Sequence, residues 1–261
     1  METLLKVQNL TKVYDNGTVA LKNISFDVKK GEFLVVIGLS GSGKSTLLRC
    51  INRLIDPTEG EIWLNERNIA VVKGKELRLI RRQIGMIFQQ FNLVKRSSVL
   101  TNVLTGRLGY TQPIWSLTNR FTGEDRRKAI KALERVGIPG KANVRVDELS
   151  GGQQQRVGIA RALMQDPELI LADEPVASLD PVLAYSIMDH LEQLNKQDGR
   201  TVICSLHYLD LVQRYADRVI GLREGEMVYE GTKKQVQAMT NAEFAKIYGE
   251  EAQRLGSITG T

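Results

Sequence analysis

The sequence predicts an α/β fold in which a core of parallel strands and helices follows a small antiparallel sheet and is interrupted by a helical segment. Apolar and polar residues alternate through about the first 30 positions, which is typical of a sheet with one solvated face. Short apolar runs then alternate with helical stretches, as in a parallel-sheet core. Between Gln90 and Gln165 the apolar spacing is helical. We therefore expect one domain over residues 1–261, with a helical subdomain inserted at about residues 90–165.

The first strands are expected at Leu5–Gln8 and Ile24–Val28, where the alternation is clearest. Residues Arg218–Glu230 are expected to form a hairpin that turns at Glu224 and Gly225, just after a short helix that opens at Tyr208. The expected buried strands are Glu32–Ile37, Ile84–Phe88, Glu168–Ala172, Thr201–Leu206 and Arg218–Leu222.

Length and composition are those of a water-soluble domain. The chain has 261 residues, of which 42% are apolar, enough for a sizeable core. Its strongly apolar runs are strand-length, far below the roughly 18 residues that span a bilayer. The first residues lack the basic start and apolar run of a signal peptide. We expect a cytoplasmic protein whose contact with any membrane is made through a partner.

Charge and cysteines indicate little by themselves. The net charge is +6, but Lys and Arg are spread along the chain, so we interpret them as solvated faces and expect no nucleic-acid partner. Cys50 and Cys204 are the only cysteines, and their apolar surroundings favour small core residues over a disulfide or a metal pair.

Residues Gly38–Ser45 fit G-x-x-x-x-G-K-[ST], the phosphate-binding loop. An apolar strand precedes the loop and a helix is expected from Thr46, which is the context that the motif requires. Glycines let the backbone wrap a polyphosphate, and the helix N-terminus offers N–H donors. Lys44 is expected to reach the β- and γ-phosphates and Ser45 to ligate Mg²⁺. The alternative, a glycine-rich turn that binds nothing, does not account for the flanking strand and helix.

Two carboxylates follow the apolar run Leu169–Ala172. Beside a phosphate loop, the first acid, Asp173, is expected to hold Mg²⁺, and the second, Glu174, to orient or deprotonate the attacking water. The alternative is that the pair caps the turn at Pro175.

The run Leu149–Gln153, Leu-Ser-Gly-Gly-Gln, precedes an amphipathic helix. Ser150 is a natural N-cap, and the two glycines allow close backbone approach. The sequence therefore predicts a second helix start that can bind an anion.

Together these motifs resemble those of ATP-binding cassette (ABC) ATPases, the motor subunits of ABC transporters, over essentially the whole chain. Gly38–Ser45 and Leu169–Glu174 match the Walker A and Walker B segments, and Leu149–Gln153 matches the family signature. Further matches are Gln89 to the Q-loop glutamine, Ser178–Asp180 to the D-loop, His207 to the switch histidine and Tyr14 to the adenine-stacking aromatic.

The resemblance implies a P-loop NTPase fold with a RecA-like core, and ATP and Mg²⁺ as cofactors. It implies catalytic roles for Lys44, Gln89, Glu174 and His207, and Mg²⁺ ligation by Ser45, Gln89 and Asp173. The implied nucleotide-binding residues are Tyr14, Gly38, Ser40, Gly41, Ser42, Gly43, Lys44, Ser45, Thr46, Ser150, Gly151, Gly152 and Gln153.

Some of these residues also have structural interpretations. Tyr14 could cover the antiparallel sheet, Gln89 could be a polar strand end, and His207 could be a structural histidine. Asp180 is in addition a good N-cap for a helix that starts at Pro181. His190 lies on a helix with an apolar stripe and receives no function.

The resemblance further implies a head-to-tail dimer that sandwiches two ATP molecules between the Walker A loop of one chain and the signature helix of the other. Expected partners are a second copy, transmembrane permease subunits and, indirectly, an extracytoplasmic solute-binding protein. The expected location is peripheral, on the cytoplasmic face of the inner membrane.

Other classes of ABC ATPase fit the sequence less well. A chromosome-maintenance or repair ATPase would show long heptad arms. A translation-associated protein would carry two cassettes. A non-catalytic nucleotide-binding module is disfavoured by Glu174 and His207.

The transported substrate is predicted from resemblance alone. Because the cassette ends near residue 261, we expect no C-terminal regulatory domain of the kind typical of sugar and methionine importer ATPases. The loop Gly106–Gly123 and the tract Ala172–Pro181 are similar to ATPases of phosphonate and phosphite importers. The alternative is a polar amino-acid importer ATPase. Ala177 and Leu206 depart from residues common in other relatives, without affecting the catalytic assignments.

Overall fold

The computed structural model describes residues 2–110, 121–240, 243, 247 and 248. These residues divide into two compact units: unit 1 within Met1–Val72 and Leu194–Thr261, and unit 2 within Lys73–Gln193. The strands are β1 (Thr3–Val13), β2 (Val19–Lys29), β3 (Phe33–Ile37), β4 (Glu59–Leu64), β5 (Arg67–Asn68), β6 (Ile84–Ile87), β7 (Leu169–Ala172), β8 (Thr201–Ser205), β9 (Arg218–Arg223) and β10 (Glu226–Thr232). The α-helices are α1 (Lys44–Ile51), α2 (Gly74–Arg81), α3 (Val99–Leu104), α4 (Gly123–Arg135), α5 (Gly151–Leu163), α6 (Pro181–Lys196), α7 (Leu209–Tyr215) and α8 (Lys233–Ala238). Three short 3₁₀ helices lie at Thr105–Arg107, Pro139–Lys141 and Val146–Glu148.

Unit 1 contains the expected antiparallel sheet, in the order β2-β1-β4-β5. Buried and exposed positions alternate along β2, because successive side chains of a strand point to opposite faces. The register pairs Leu5 with Val28 on one side and with Leu64 on the other. One face of this sheet therefore contributes to the core, as the sequence predicts.

A mixed sheet forms the rest of the unit 1 core. Strand β3 pairs in parallel with β8 and with β9, and β10 returns antiparallel to β9. All five residues of β3 and of β8 are buried, which explains their continuous apolar sequences. The predicted hairpin is confirmed: Glu224 and Gly225 turn the chain with φ values of 52° and 80°.

Arg218, at the start of β9, braces the strands of unit 1. Its guanidinium lies 2.6 Å from Glu32 and 2.6 Å from Glu230, and it also donates to the carbonyl of Asp27 at the end of β2. Side-chain exposure is only 16% for Arg218 and 11% for Glu32, so solvent screens their interaction weakly.

Unit 2 combines a parallel strand pair with helices. Strands β6 and β7 are parallel and fully buried. Helix α5 packs against both α3 and α4, and its residues Val157 and Ala160 are fully buried. No helix among the described residues is long and apolar enough to cross a bilayer.

Several elements differ from the sequence prediction. Strands β4 and β5 and helix α2 were not predicted. Helix α1 begins at Lys44 rather than Thr46, because Gly43 occupies the N-cap position. Residues 111–120, which make up most of the loop Gly106–Gly123 used for the substrate prediction, lie outside the described residues.

Candidate functional site

The loop between β3 and α1 is built for close approach of a ligand to the backbone. Gly38, Gly41 and Gly43 have φ values of 147°, 79° and 105°, which side-chain-bearing residues rarely adopt. A Cβ at Gly38 would lie 2.2 Å from the carbonyl oxygen of Leu222, and one at Gly43 would lie 2.5 Å from that of Ala20. Glycine is therefore required at these two positions by both conformation and space.

Polar groups of this loop are placed where a phosphate can be bound. Lys44, only 3% exposed, donates from Nζ to the carbonyls of Gly38 and Leu39 at 2.8 and 2.9 Å. Ser42 Oγ is buried and has no hydrogen-bond partner among the described residues. No side chain caps α1 at Gly43. Ser40 and Gly41 are exposed and Ser45 and Thr46 half-buried, so the loop presents donors to an anion at a helix N-terminus.

Tyr14 lies at the same helix start. Its hydroxyl is 3.2 Å from Oγ1 of Thr46 in α1, and Lys12 Nζ lies 5.3 Å from the ring centroid. The half-buried ring is thus fixed at its hydroxyl end and carries a cation near one face. The structure therefore brings Tyr14 close to the start of α1. A tyrosine that only covered the antiparallel sheet would not need this position.

His207 directly follows β8 in unit 1. The preceding residue is anchored, since the Leu206 N–H donates to the carbonyl of Val36 at 3.1 Å, and the side chain of His207 is half-buried.

Three of the predicted residues meet at the end of the strand pair in unit 2. Asp173 is fully buried, and its N–H donates to the Ile87 carbonyl at 2.9 Å. The next residue, Glu174, has a left-handed φ of 46°. The Gln89 amide donates from Nε2 to Glu174 Oε2 at 2.9 Å. A glutamine after β6 and an acid after β7 therefore lie in direct contact.

The predicted N-cap at Ser150 is confirmed. Ser150 Oγ accepts from the Gln153 N–H at 3.4 Å, while the Ser150 N–H donates to Gln153 Oε1 at 3.2 Å. A Cβ at Gly152 would lie 2.9 Å from a terminal methyl of Leu183, so a larger residue there would displace that side chain. Asp180 likewise caps α6, accepting from the Leu183 N–H at 3.0 Å.

The residue types present include those that bind a nucleotide together with Mg²⁺. Among the described ranges, no group of three His, Cys, Asp or Glu side chains could hold a metal ion. Mg²⁺ in nucleotide sites is bound by one or two carboxylates, a hydroxyl and substrate phosphates, and Ser45 and Asp173 are residues of those types. Burial raises the pKa of Cys50 in α1 to about 12, so this thiol stays protonated and does not act as a nucleophile or ligand.

Sequence reasoning missed two residues of unit 2. A Cβ at Gly151 would lie 3.7 Å from Leu179 and 3.9 Å from the ring of Phe91, so Phe91 flanks the signature. Arg161, near the end of α5, donates to the carbonyls of Phe91 and Asn92. The available signal is weak: Arg161 is a cation within an otherwise apolar stretch of α5.

A protein-family model described as "ABC transporter" matches residues 21–177, more than half of the chain. The chain belongs to the ABC transporter family. A phosphonates import ATP-binding protein of Lactobacillus johnsonii is 55% identical over 94% of this chain and 95% of its own length. The corresponding Staphylococcus aureus protein (strain MRSA252) is 55% identical over 97% of this chain and 98% of its length.

Solved structures of ABC transporter cassettes are also similar to this chain. The bacterial ABC transporter cassette MJ0796, in a dimeric post-hydrolysis state bound to ADP and Pi, is 39% identical, with a TM-score of 0.79 over 88% of this chain and 99% of that one. The ADP conformation of the cassette MJ1267 is 31% identical, with a TM-score of 0.82 over 95% of this chain and 98% of that one. The predicted fold, an ABC ATPase cassette, is confirmed.

Proposed function

We propose that this chain is the ATP-hydrolysing subunit of an ABC importer for phosphonates. The observation that carries the proposal is its identity of about 55%, over nearly the full length of both chains, to proteins named as phosphonates import ATP-binding proteins. The ATPase chemistry is further supported by the glycine loop with its orphaned Ser42 hydroxyl and by the contact of Gln89 with Glu174.

Nucleotide binding is assigned first to unit 1. The adenine stacks on Tyr14, whose ring is already held by Thr46. The phosphates bind the N–H groups from Gly38 to Thr46, including those of Ser40 and Gly41, and the hydroxyl of Ser42. Lys44 exchanges its bonds to loop carbonyls for bonds to the β- and γ-phosphates.

Hydrolysis is assigned to Glu174, Gln89 and His207. Glu174 accepts a proton from the attacking water, and the 2.9 Å bond from Gln89 fixes the direction of its carboxylate. His207 senses the γ-phosphate. Ser45, Gln89 and Asp173 would hold Mg²⁺, which would supply charge neutralisation for the transferred phosphoryl group.

A second copy of the chain completes each site. Its Ser150, Gly151, Gly152 and Gln153 bind the γ-phosphate at the start of α5, while the self-capped Ser150–Gln153 pair holds the helix start rigid. This proposal is supported by the dimeric state of the similar cassette MJ0796. ATP then closes the dimer and loss of the γ-phosphate reopens it.

The wider assembly follows from the same proposal. Residues about 90–165 act as a helical subdomain of a single ATPase domain, and they dock on transmembrane permease subunits at the cytoplasmic face of the inner membrane. An extracytoplasmic binding protein selects the anion. Phosphite and hypophosphite are the chemically closest alternative cargoes.

The test is reconstitution of the complete transporter with the binding protein encoded beside it. ATP hydrolysis is expected to rise with a phosphonate and to be lost with Lys44→Ala. Stimulation by polar amino acids, with none by phosphonate, phosphite or hypophosphite, would assign the chain to amino-acid import.

A further inference from the structure

The Q-loop, defined here as residues 88–92, contains two consecutive residues in an unfavourable backbone conformation. Phe91 and Asn92 both have a φ of 49°. Asparagine tolerates this left-handed region, but a bulky residue such as phenylalanine rarely adopts it because the conformation is sterically strained. Such a conformation persists only where neighbouring groups hold it.

Arg161 is the group that holds it. One guanidinium nitrogen donates to the Phe91 carbonyl at 2.8 Å and another to the Asn92 carbonyl. The same guanidinium lies 5.8 Å from the ring centroid of Phe88, so it contacts both ends of the Q-loop. Burial lowers the pKa of Arg161, because desolvation disfavours the charged form. The two carbonyls and the ring offset that cost.

Helix α5 therefore lies close to the Q-loop near both ends of the helix. Arg161 lies ten residues beyond Gly151, which is about 15 Å along a helix. At the N-terminal end, the ring of Phe91 is within van der Waals reach of the position that a Cβ of Gly151 would occupy. Within the Q-loop, Gln89 bonds to Glu174. Phe91 is thus a neighbour of the signature, and it belongs to the same short loop as Gln89, which bonds to the proposed catalytic carboxylate.

We propose that Arg161 is a positioning residue for ATP hydrolysis: it fixes the Q-loop so that Phe91 stays against the signature and Gln89 stays bonded to Glu174. Arrival of a nucleotide at the signature of α5 is thereby communicated to the residue that activates water. The inference rests on the proposed ATPase function.

The test compares Arg161→Met and Arg161→Lys with Arg53→Met. Arg53 is the control because it too donates to two consecutive carbonyls, those of Ile69 and Ala70, but in unit 1; it is buried, whereas Arg161 is half-buried. We measure kcat and the ATP Kd of each full-length chain, and the amide hydrogen exchange of residues 88–92. Thermal unfolding sets a temperature at which every variant is folded.

Arg161→Met is expected to lower kcat by at least about tenfold while the ATP Kd stays within about threefold, because the phosphate loop is untouched. The kcat of Arg161→Lys should lie between those of the wild type and Arg161→Met, since an ammonium cannot reproduce the planar fork that reaches both carbonyls. Exchange in residues 88–92 should accelerate in both variants, and Arg53→Met should change neither kcat nor that exchange.

The inference is wrong if Arg161→Met keeps a wild-type kcat, if its ATP affinity falls in proportion to kcat, or if Arg53→Met lowers kcat equally. Unchanged exchange in residues 88–92 also overturns it. A wild-type chain that binds and hydrolyses no ATP would instead refute the proposed function, and the exchange comparison would still decide whether Arg161 holds the Q-loop.

Discussion

Ser42→Ala should stabilise the nucleotide-free chain and weaken ATP binding at the same time. The Ser42 hydroxyl is buried, 4% exposed for the residue, and has no partner in the described structure. Leaving a buried hydroxyl unsatisfied costs about 1–3 kcal/mol, and loss of one small oxygen leaves little cavity. We expect the free energy of unfolding without nucleotide to rise by about 1 kcal/mol. A hydrogen bond to a charged phosphate contributes about 1.5–3 kcal/mol, so the ATP Kd should increase roughly 10- to 150-fold.

Urea unfolding without nucleotide and calorimetric titration with ATP measure the two effects separately. Ser40→Ala is the control for stability, because Ser40 is exposed in the same loop and its hydroxyl is already solvated. The thermal stabilisation produced by a fixed ATP concentration should also shrink in Ser42→Ala, since it depends on the ratio of ligand concentration to Kd. A Ser42→Ala chain that is less stable without ATP, or that binds ATP as tightly as wild type, would refute the reasoning.

Three further outcomes are expected. Glu174→Gln should lower kcat at least about 100-fold, retain ATP binding and accumulate an ATP-dependent dimer in light scattering, because an amide cannot accept the proton of the attacking water. Gly158→Ala should raise the free energy of unfolding by about 0.5–1 kcal/mol in urea titrations, because the new methyl group meets no atom within 4 Å and alanine favours the helix. Gly106→Ala should lower the free energy of unfolding, because its methyl would lie 2.2 Å from the Arg161 carbonyl oxygen. Burial opposes ionisation of Asp217, but Lys196, the Phe33 N–H and Lys233 hold its pKa below 3.8. The contribution of ionised Asp217 to the free energy of unfolding is therefore present above about pH 4 and is lost as pH falls through the folded-state pKa. Asp217→Asn should remove that part of the pH dependence in unfolding curves measured in acid.

Local sequence predicts the parts of the site that depend on a few consecutive residues. The loop at Gly38–Ser45, the Ser150 cap and the turn at Glu224 are each determined by backbone conformations and caps that short motifs encode. The buried strands β3 and β8 are equally clear, because a strand covered on both faces is apolar throughout.

The elements that were missed depend on partners distant in sequence. Strand β4 has only two buried residues, Ile62 and Leu64, and its ladder partner β1 lies about 50 to 60 residues earlier, as in the pairing of Leu5 with Leu64. Helix α2 has only eight residues, of which Ile80 alone is buried, so its apolar pattern is too short to indicate a helix by itself. The contact between Phe91 and Arg161 joins residues 70 positions apart, and no local pattern encodes it.

This distinction separates two kinds of functional variant. Under the proposed function, residues of the local motifs contact the nucleotide themselves, so a change such as Ser42→Ala should act on the ATP Kd. In the same proposal Arg161 acts through the Q-loop and reaches Glu174 only by way of Gln89, so its loss should lower kcat and spare Kd. The two effects should combine additively in the double variant Ser42→Ala/Arg161→Met, because the residues share no partner among the described contacts. Calorimetric and kinetic measurements on that variant test this independence. A change in Kd on Ser42→Ala that differs between the wild-type and Arg161→Met backgrounds would contradict it.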